Sequence, residues 1–111
     1  MNSASTTAIK FDFEVDEMVD SAREATDFLK SIAHEGRLMI LCRLAEGECA
    51  VTDLEELLSA RQAAVSQQLA RLRLEGIVDA RREGKSVYYS LSDDRIQTII
   101  PVLYDMFCKP D

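Results

Sequence analysis

Apolar residues recur along this chain at helical spacing, change once to alternation, and then return to helical spacing. Val15, Met18, Val19, Ala22, Ala25, Leu29 and Ile32 predict a first amphipathic helix that ends near His34 to Gly36, with His34 closing it. The LMILCRL run predicts a second helix from about Arg37 to Glu46, apolar nearly all round and therefore buried at the centre, with Gly47 as its stop. Thr52-Asp53-Leu54-Glu55 matches a capping box and predicts a short third helix to about Ser59. From Gln62 to Gly76, Val65, Leu69 and Leu72 fall at i, i+4 and i+7, so one face packs inward while Ala63, Ser66, Gln67 and Arg71 turn outward. After Gly76 the period becomes two. IVDAR, REGKS and VYYSL predict a two-stranded hairpin with Val87, Tyr89 and Leu91 on one face and Gly84 in the turn. Its tip would carry Arg81, Arg82, Glu83 and Lys85. Ser92 is expected to cap a last helix, about Asp94 to Cys108, striped by Ile96, Ile99, Ile100, Leu103 and Phe107, with Pro101 inside it to bend it or remove a hydrogen bond.

The fold class that follows is mainly α with a small β-hairpin. Residues 1–13 are small, polar and patternless, which predicts a flexible tail, and residues 14–111 are expected to form one DNA-binding and dimerisation domain. Only a few residues separate the third helix from the fourth, the spacing of a helix-turn-helix, and the hairpin that follows has the place of a wing.

Charge sharpens this picture. The chain carries a formal −7, yet between Arg61 and Leu91 six basic residues face three acidic ones, a net +3 that leaves −10 elsewhere. A basic segment on an acidic body suits a DNA binder that avoids indiscriminate sticking. Short and amide side chains let a helix backbone approach base edges in the major groove. Gln62, Ala63, Ser66, Gln67 and Gln68 are thus the candidates for reading double-stranded operator DNA, and Arg71, Arg81, Arg82 and Lys85 for holding phosphates or a minor groove. The first and last helices lie outside this unit and are the expected homodimer surface, so that two reading helices meet a palindromic operator. No apolar run is long enough to span a bilayer and no secretory pattern opens the chain, which predicts a cytoplasmic protein with no membrane partner.

With that order complete, the chain resembles the ArsR/SmtB family of winged-helix repressors over about residues 15–108. The match rests on LKSIAHEGRLMIL, TDLEELL, AVSQQLARLRLEGIV and RREGKSVYYSLSD. The resemblance implies a homodimeric repressor, not an enzyme, that leaves its operator when an inducer binds. The sequence departs from the metal-sensing members. Ala50 and Thr52 stand where their third-helix Cys-x-Cys would be, with Cys49 displaced by one, and Asp93 is followed by Asp94 and Arg95 where a last-helix zinc site needs histidine. The one histidine is His34, so no metal site and no cofactor is expected.

Three cysteines, Cys42, Cys49 and Cys108, form no structural disulfide framework in a reducing compartment. Cys42 in the second helix and Cys108 at the end of the last look like the pair in the sulfide-responsive branch of the family, the BigR/SqrR-type persulfide sensors. That resemblance implies that reactive sulfur species link the two through a disulfide or polysulfide bridge and release the operators of sulfide-handling genes. Cys49 has no comparable partner. The competing reading is a thiol-based metal or metalloid sensor; a thiol oxidoreductase is disfavoured by the lack of Cys-x-x-Cys.

Overall fold

The computed structural model describes residues 8, 10, 12, 14–59 and 62–108, with Gln62 by its backbone alone. Most of the expected tail, residues 1–13, and the side chain of Gln62 therefore lie outside the described residues. The chain divides into two compact units, one ending at Lys30 and one beginning at Ser31. Helix α1 (Val15–Ile32), in the first unit but for Ser31 and Ile32, opens with Asp16 and Glu17 and carries Lys30 in its last turn, so its charges complement the helix dipole at both ends. Its apolar Val15, Met18, Val19 and Leu29 remain exposed.

The second unit runs α2 (Glu35–Leu44), β1 (Cys49–Ala50), α3 (Val51–Leu58), α4 (Gln62–Leu74), β2 (Val78–Glu83), β3 (Ser86–Leu91) and α5 (Asp94–Phe107). Ile40, Leu41 and Leu44 of α2, Leu54 of α3, Val65, Leu69 and Leu72 of α4, Ile77 and Val78, and Ile96 and Ile100 of α5 converge in one core. Each helix of this unit thus buries at least one apolar residue against its neighbours, and that burial rather than propensity holds elements this short. The second helix departs from expectation on its outer side: Met39 is half exposed and Leu38 and Cys42 are half-buried, so α2 is central on one face only.

Three local expectations are corrected. His34 opens α2 instead of closing α1: its Nδ1 accepts from the amides of Gly36 (3.1 Å) and Arg37 (3.3 Å), two donors that a helix start leaves unpaired. No capping box forms at Thr52, because α3 begins one residue earlier behind Ala50, whose extended backbone belongs to β1 and which offers no side-chain acceptor. Asp93, not Ser92, caps α5, accepting at Oδ1 from the Arg95 amide at 2.9 Å, while the Ser92 hydroxyl donates to the Gly76 carbonyl. The α5 helix runs through Pro101 as expected, with one backbone donor removed.

The hairpin is part of a three-stranded antiparallel sheet ordered β1-β3-β2. Cys49 pairs with Tyr89 and Ala50 with Tyr88, and this extra strand makes β3 central. All of Val87 to Leu91 are half-buried for that reason, and the expected single-faced alternation is blunted. The tip is only Gly84-Lys85; Arg81 and Arg82 lie within β2, opposite Tyr88 and Val87. Gly84 has φ of 62° at the first loop position and Lys85 does not share it, the pattern of a type II′ turn, whose twist matches the strands.

Candidate nucleic-acid interface and thiol pair

Helix α4 is set by what it buries and how it stops. Val65, Leu69 and Leu72 are almost completely buried, which leaves Ala63, Ser66, Gln67 and Arg71 exposed on the opposite side. At its end the Gly76 amide donates to the Arg73 carbonyl (3.0 Å) and the Ile77 amide to that of Leu72 (2.9 Å), a Schellman motif. Gly76 supplies the left-handed residue, with φ of 76°, and Ile77 and Leu72 complete the motif in the core. At the other end, Ser59 closes α3 in the left-handed region with φ of 48°. A non-glycine residue there costs about 1 kcal/mol, and it turns the chain sharply enough to start α4 within a few residues.

Gln68 differs from its expected role. It is half-buried, and its Oε1 accepts from Arg37 Nε at 3.0 Å, so its acceptor serves α2. Arg71 and Arg73 are exposed and form no ion pair among the described residues. Within the wing, Arg81 differs from its basic neighbours. Its Nε donates to Glu48 Oε2 at 2.6 Å, Nη2 to Glu48 Oε1 at 2.7 Å and Nη1 to Glu83 Oε2 at 2.7 Å, while the guanidinium lies 4.7 Å from the centre of the Tyr88 ring. These bonds hold the Glu48 carboxyl below its usual range and push the Arg81 guanidinium higher still. Arg81 therefore ties β2 to the segment leading into β1. Arg82 and Lys85 are exposed and without an ion pair among the described residues, which leaves them available to phosphates.

Cys42 and Cys108 line one cleft of about 450 Å³, walled by Leu38, Met39 and Leu57 and rimmed by Glu35, Arg43 and Glu46. The half-buried Cys42 thiol is pushed above the ordinary thiol range, chiefly by burial and then by the neighbouring charges of Cys108 and Glu46. Cys108 caps the end of α5 and is exposed. Cys49 is elsewhere, buried in β1, with its thiol raised mainly by burial. Among the described residues no three His, Cys, Asp or Glu side chains gather as a metal site would require, and no helix is long and apolar enough to cross a membrane.

This order of helices around a basic wing has relatives. The family model of the arsR family of bacterial regulatory proteins matches residues 34–80. The biofilm growth-associated repressor of Agrobacterium fabrum is 47% identical over 85% of this chain and 80% of its own length. This chain belongs to the ArsR family. Its relatives include regulators of both signs, since the transcriptional activator HlyU of Vibrio cholerae is 39% identical over 84% of this chain and 86% of its own. Among solved structures, the transcriptional repressor BigR from Xylella fastidiosa covers 88% of this chain and all of its own at 37% identity and TM-score 0.79. Reduced HlyU from Vibrio cholerae covers 86% of this chain and all of its own at 38% identity and TM-score 0.81. The chain is thus a winged-helix transcriptional regulator rather than an enzyme.

Sequence reasoning missed Arg37, Glu48 and β1. Arg37 is readable only as one of two arginines in a largely apolar helix, and Glu48 as one carboxylate among many. The two-residue strand β1 leaves no period to detect.

Proposed function

We propose that this chain is a homodimeric repressor that binds operator DNA through α4 and the wing and releases it when reactive sulfur species oxidise Cys42 and Cys108. The observation that carries the sulfur reading is the shared cleft: two thiols, 66 positions apart in the chain, line one apolar-walled opening. Dimerisation is supported by Val102, Tyr104, Met106 and Phe107, exposed along α5, and by a relative of known structure from Mycobacterium bovis, 26% identical with TM-score 0.67, described as a homodimeric winged helix-turn-helix DNA-binding domain. Residues 14–111 would then act as one DNA-binding and dimerisation domain. Ala63, Ser66 and Gln67, with Gln62, are the base-reading set, and Arg71, Arg82 and Lys85 the phosphate set.

In the proposed chemistry the exposed Cys108 thiolate attacks the outer sulfur of a persulfide RSSH and expels RS⁻, which takes up a proton as RSH. The Cys42 thiolate then attacks the Cys108 sulfur and expels HS⁻, which leaves as H₂S. Two thiols lose two electrons and two protons, and the donor is reduced to RSH and H₂S. Each further bridging sulfur comes from one more donor, which departs as RSH. A longer bridge also tolerates a gap beyond the about 7 Å Cα separation that limits a direct disulfide.

The test is operator affinity of the reduced protein before and after a persulfide donor, with intact mass taken on the same samples. The reading expects loss of two hydrogens, plus any bridging sulfur, on a Cys42–Cys108 crosslink together with weakened binding. Unchanged mass and affinity would overturn it, and zinc or arsenite bound stoichiometrically by the reduced dimer would favour the metal or metalloid alternative.

A further inference from the structure

Arg37 is the one charged residue in the core of the second unit, only 8% exposed among the described residues. Its fork is almost fully used. Nε donates to Gln68 Oε1 at 3.0 Å, Nη2 to Glu75 Oε2 at 2.9 Å, and Nη1 to both Glu75 Oε1 at 3.3 Å and the Ser31 carbonyl at 2.7 Å. Gln68 and Glu75 are seven residues apart, about two turns and about 10 Å along α4. A single contact would leave α4 free to swivel about it; two contacts from one rigid plane fix its tilt and its rotation. Ser66 and Gln67, near Gln68 in the chain, are exposed.

Glu75 points to the same role. It stands at the C-terminal end of α4, where the helix dipole disfavours an anion and where the other charges of the last turn, Arg71 and Arg73, are basic. Local preference does not account for a carboxylate there, whereas bidentate pairing to a buried guanidinium does. Arg37 lies on α2 five residues before Cys42, so the helix that bears a cleft thiol is the one that grips α4.

We infer that Arg37 is a positioning residue: its guanidinium locks the tilt of α4 to α2, and so makes discrimination between operator and other DNA depend on where α2 sits. This rests on α4 being the reading helix. Lysine, with one compact ammonium, cannot span both α4 contacts.

The experiment measures operator and scrambled duplex affinities at fixed salt for the wild type, Arg37→Lys, Glu75→Gln and, as a marker of the reading helix, Gln67→Ala, each with a thermal melt. The expected result for Arg37→Lys and Glu75→Gln is a loss of about tenfold in the operator-to-scrambled ratio, the scale of one lost base contact, with scrambled-DNA affinity unchanged because phosphate contacts are untouched. A lowered melting temperature with an unchanged ratio would make Arg37 merely structural and overturn the proposal. If Arg37→Lys fails to fold, Glu75→Gln decides, since Glu75 is partly exposed and its loss leaves the Gln68 and Ser31 bonds in place. A Gln67→Ala ratio that falls while the other two hold would sink the positioning role alone; a ratio unmoved in all three would sink the reading helix with it.

Discussion

Cys42 and Cys108 share a cleft but not an environment, the first half-buried on α2 and the second exposed where α5 ends. Burial, the Cys108 charge and Glu46 together hold the Cys42 thiol protonated beyond the ordinary range. Iodoacetamide at pH 7.5 should therefore label Cys108 at least about tenfold faster than Cys42, since thiolate and access both set the rate. Labelling of Cys42 should keep rising with pH past the point, near the ordinary thiol value of about 8.5, where an unperturbed cysteine begins to level off. Peptide mass mapping across a pH series checks both; equal rates at the two sites would contradict this picture of the cleft.

Cys108→Ser should bind operator as the wild type does and fail to release it on persulfide treatment. Measured by fluorescence anisotropy, release in the mutant would remove Cys108 from sensing. The partner control is Cys49→Ser. Cys49 lies buried opposite Tyr89 in β1, so its hydroxyl replacement should cost about 1–3 kcal/mol of stability by unfolding titration while leaving persulfide release intact.

Arg81 and its neighbours should separate in salt dependence. Each phosphate contact contributes about 0.9 to the slope of log affinity against log salt. Arg82→Ala and Lys85→Ala should each flatten the slope by about that amount. Arg81→Ala should not, because both its arms are held by Glu48 and Glu83, and it acts by keeping β2 and the approach to β1 together. A slope change equal to that of Lys85→Ala would return Arg81 to the phosphate set.

What sequence could reveal divides along contact range. The stripe Val65, Leu69, Leu72 and the turn at Gly84 are local patterns, and each appears in the structure as read. The caps His34, Ala50 and Asp93 turn on which backbone amides lie free: His34 serves the helix after it rather than the one before, and composition alone leaves neighbouring Ser92 and Asp93 equally eligible. Arg81 and Gln68 read as DNA contacts in the sequence because they are polar residues in the DNA-reading stretch. Their partners, Glu48 and Arg37, come from 33 and 31 residues away, and no window of periodicity spans that distance. The cleft shared by Cys42 and Cys108 is longer-range still, which is why only a resemblance to a known family suggested pairing them.

Asp93 links stability to pH at the root of the helix that carries Cys108. Its carboxylate accepts from the Arg95 guanidinium at 2.7 and 3.1 Å and from the Arg95 amide, and the side-chain bonds, foremost, hold it below the usual carboxylate range. A carboxyl whose folded value is depressed adds stability that is present above its unfolded value, about 3.9, and is lost as pH falls through the lower folded value. Asp93→Asn should therefore keep most of the cap yet flatten the part of the acid-stability curve that lies below about pH 4. Asp93→Ala should lose the cap as well, at a cost of about 1 kcal/mol at neutral pH. Thermal melts from pH 2.5 to 7 on the three proteins check this. If α5 is held in place by its cap, Asp93→Ala should also raise the rate of Cys108 labelling, because the helix end is then freer to open; identical acid profiles for wild type and Asp93→Asn would show that the Arg95 bonds contribute nothing to holding α5.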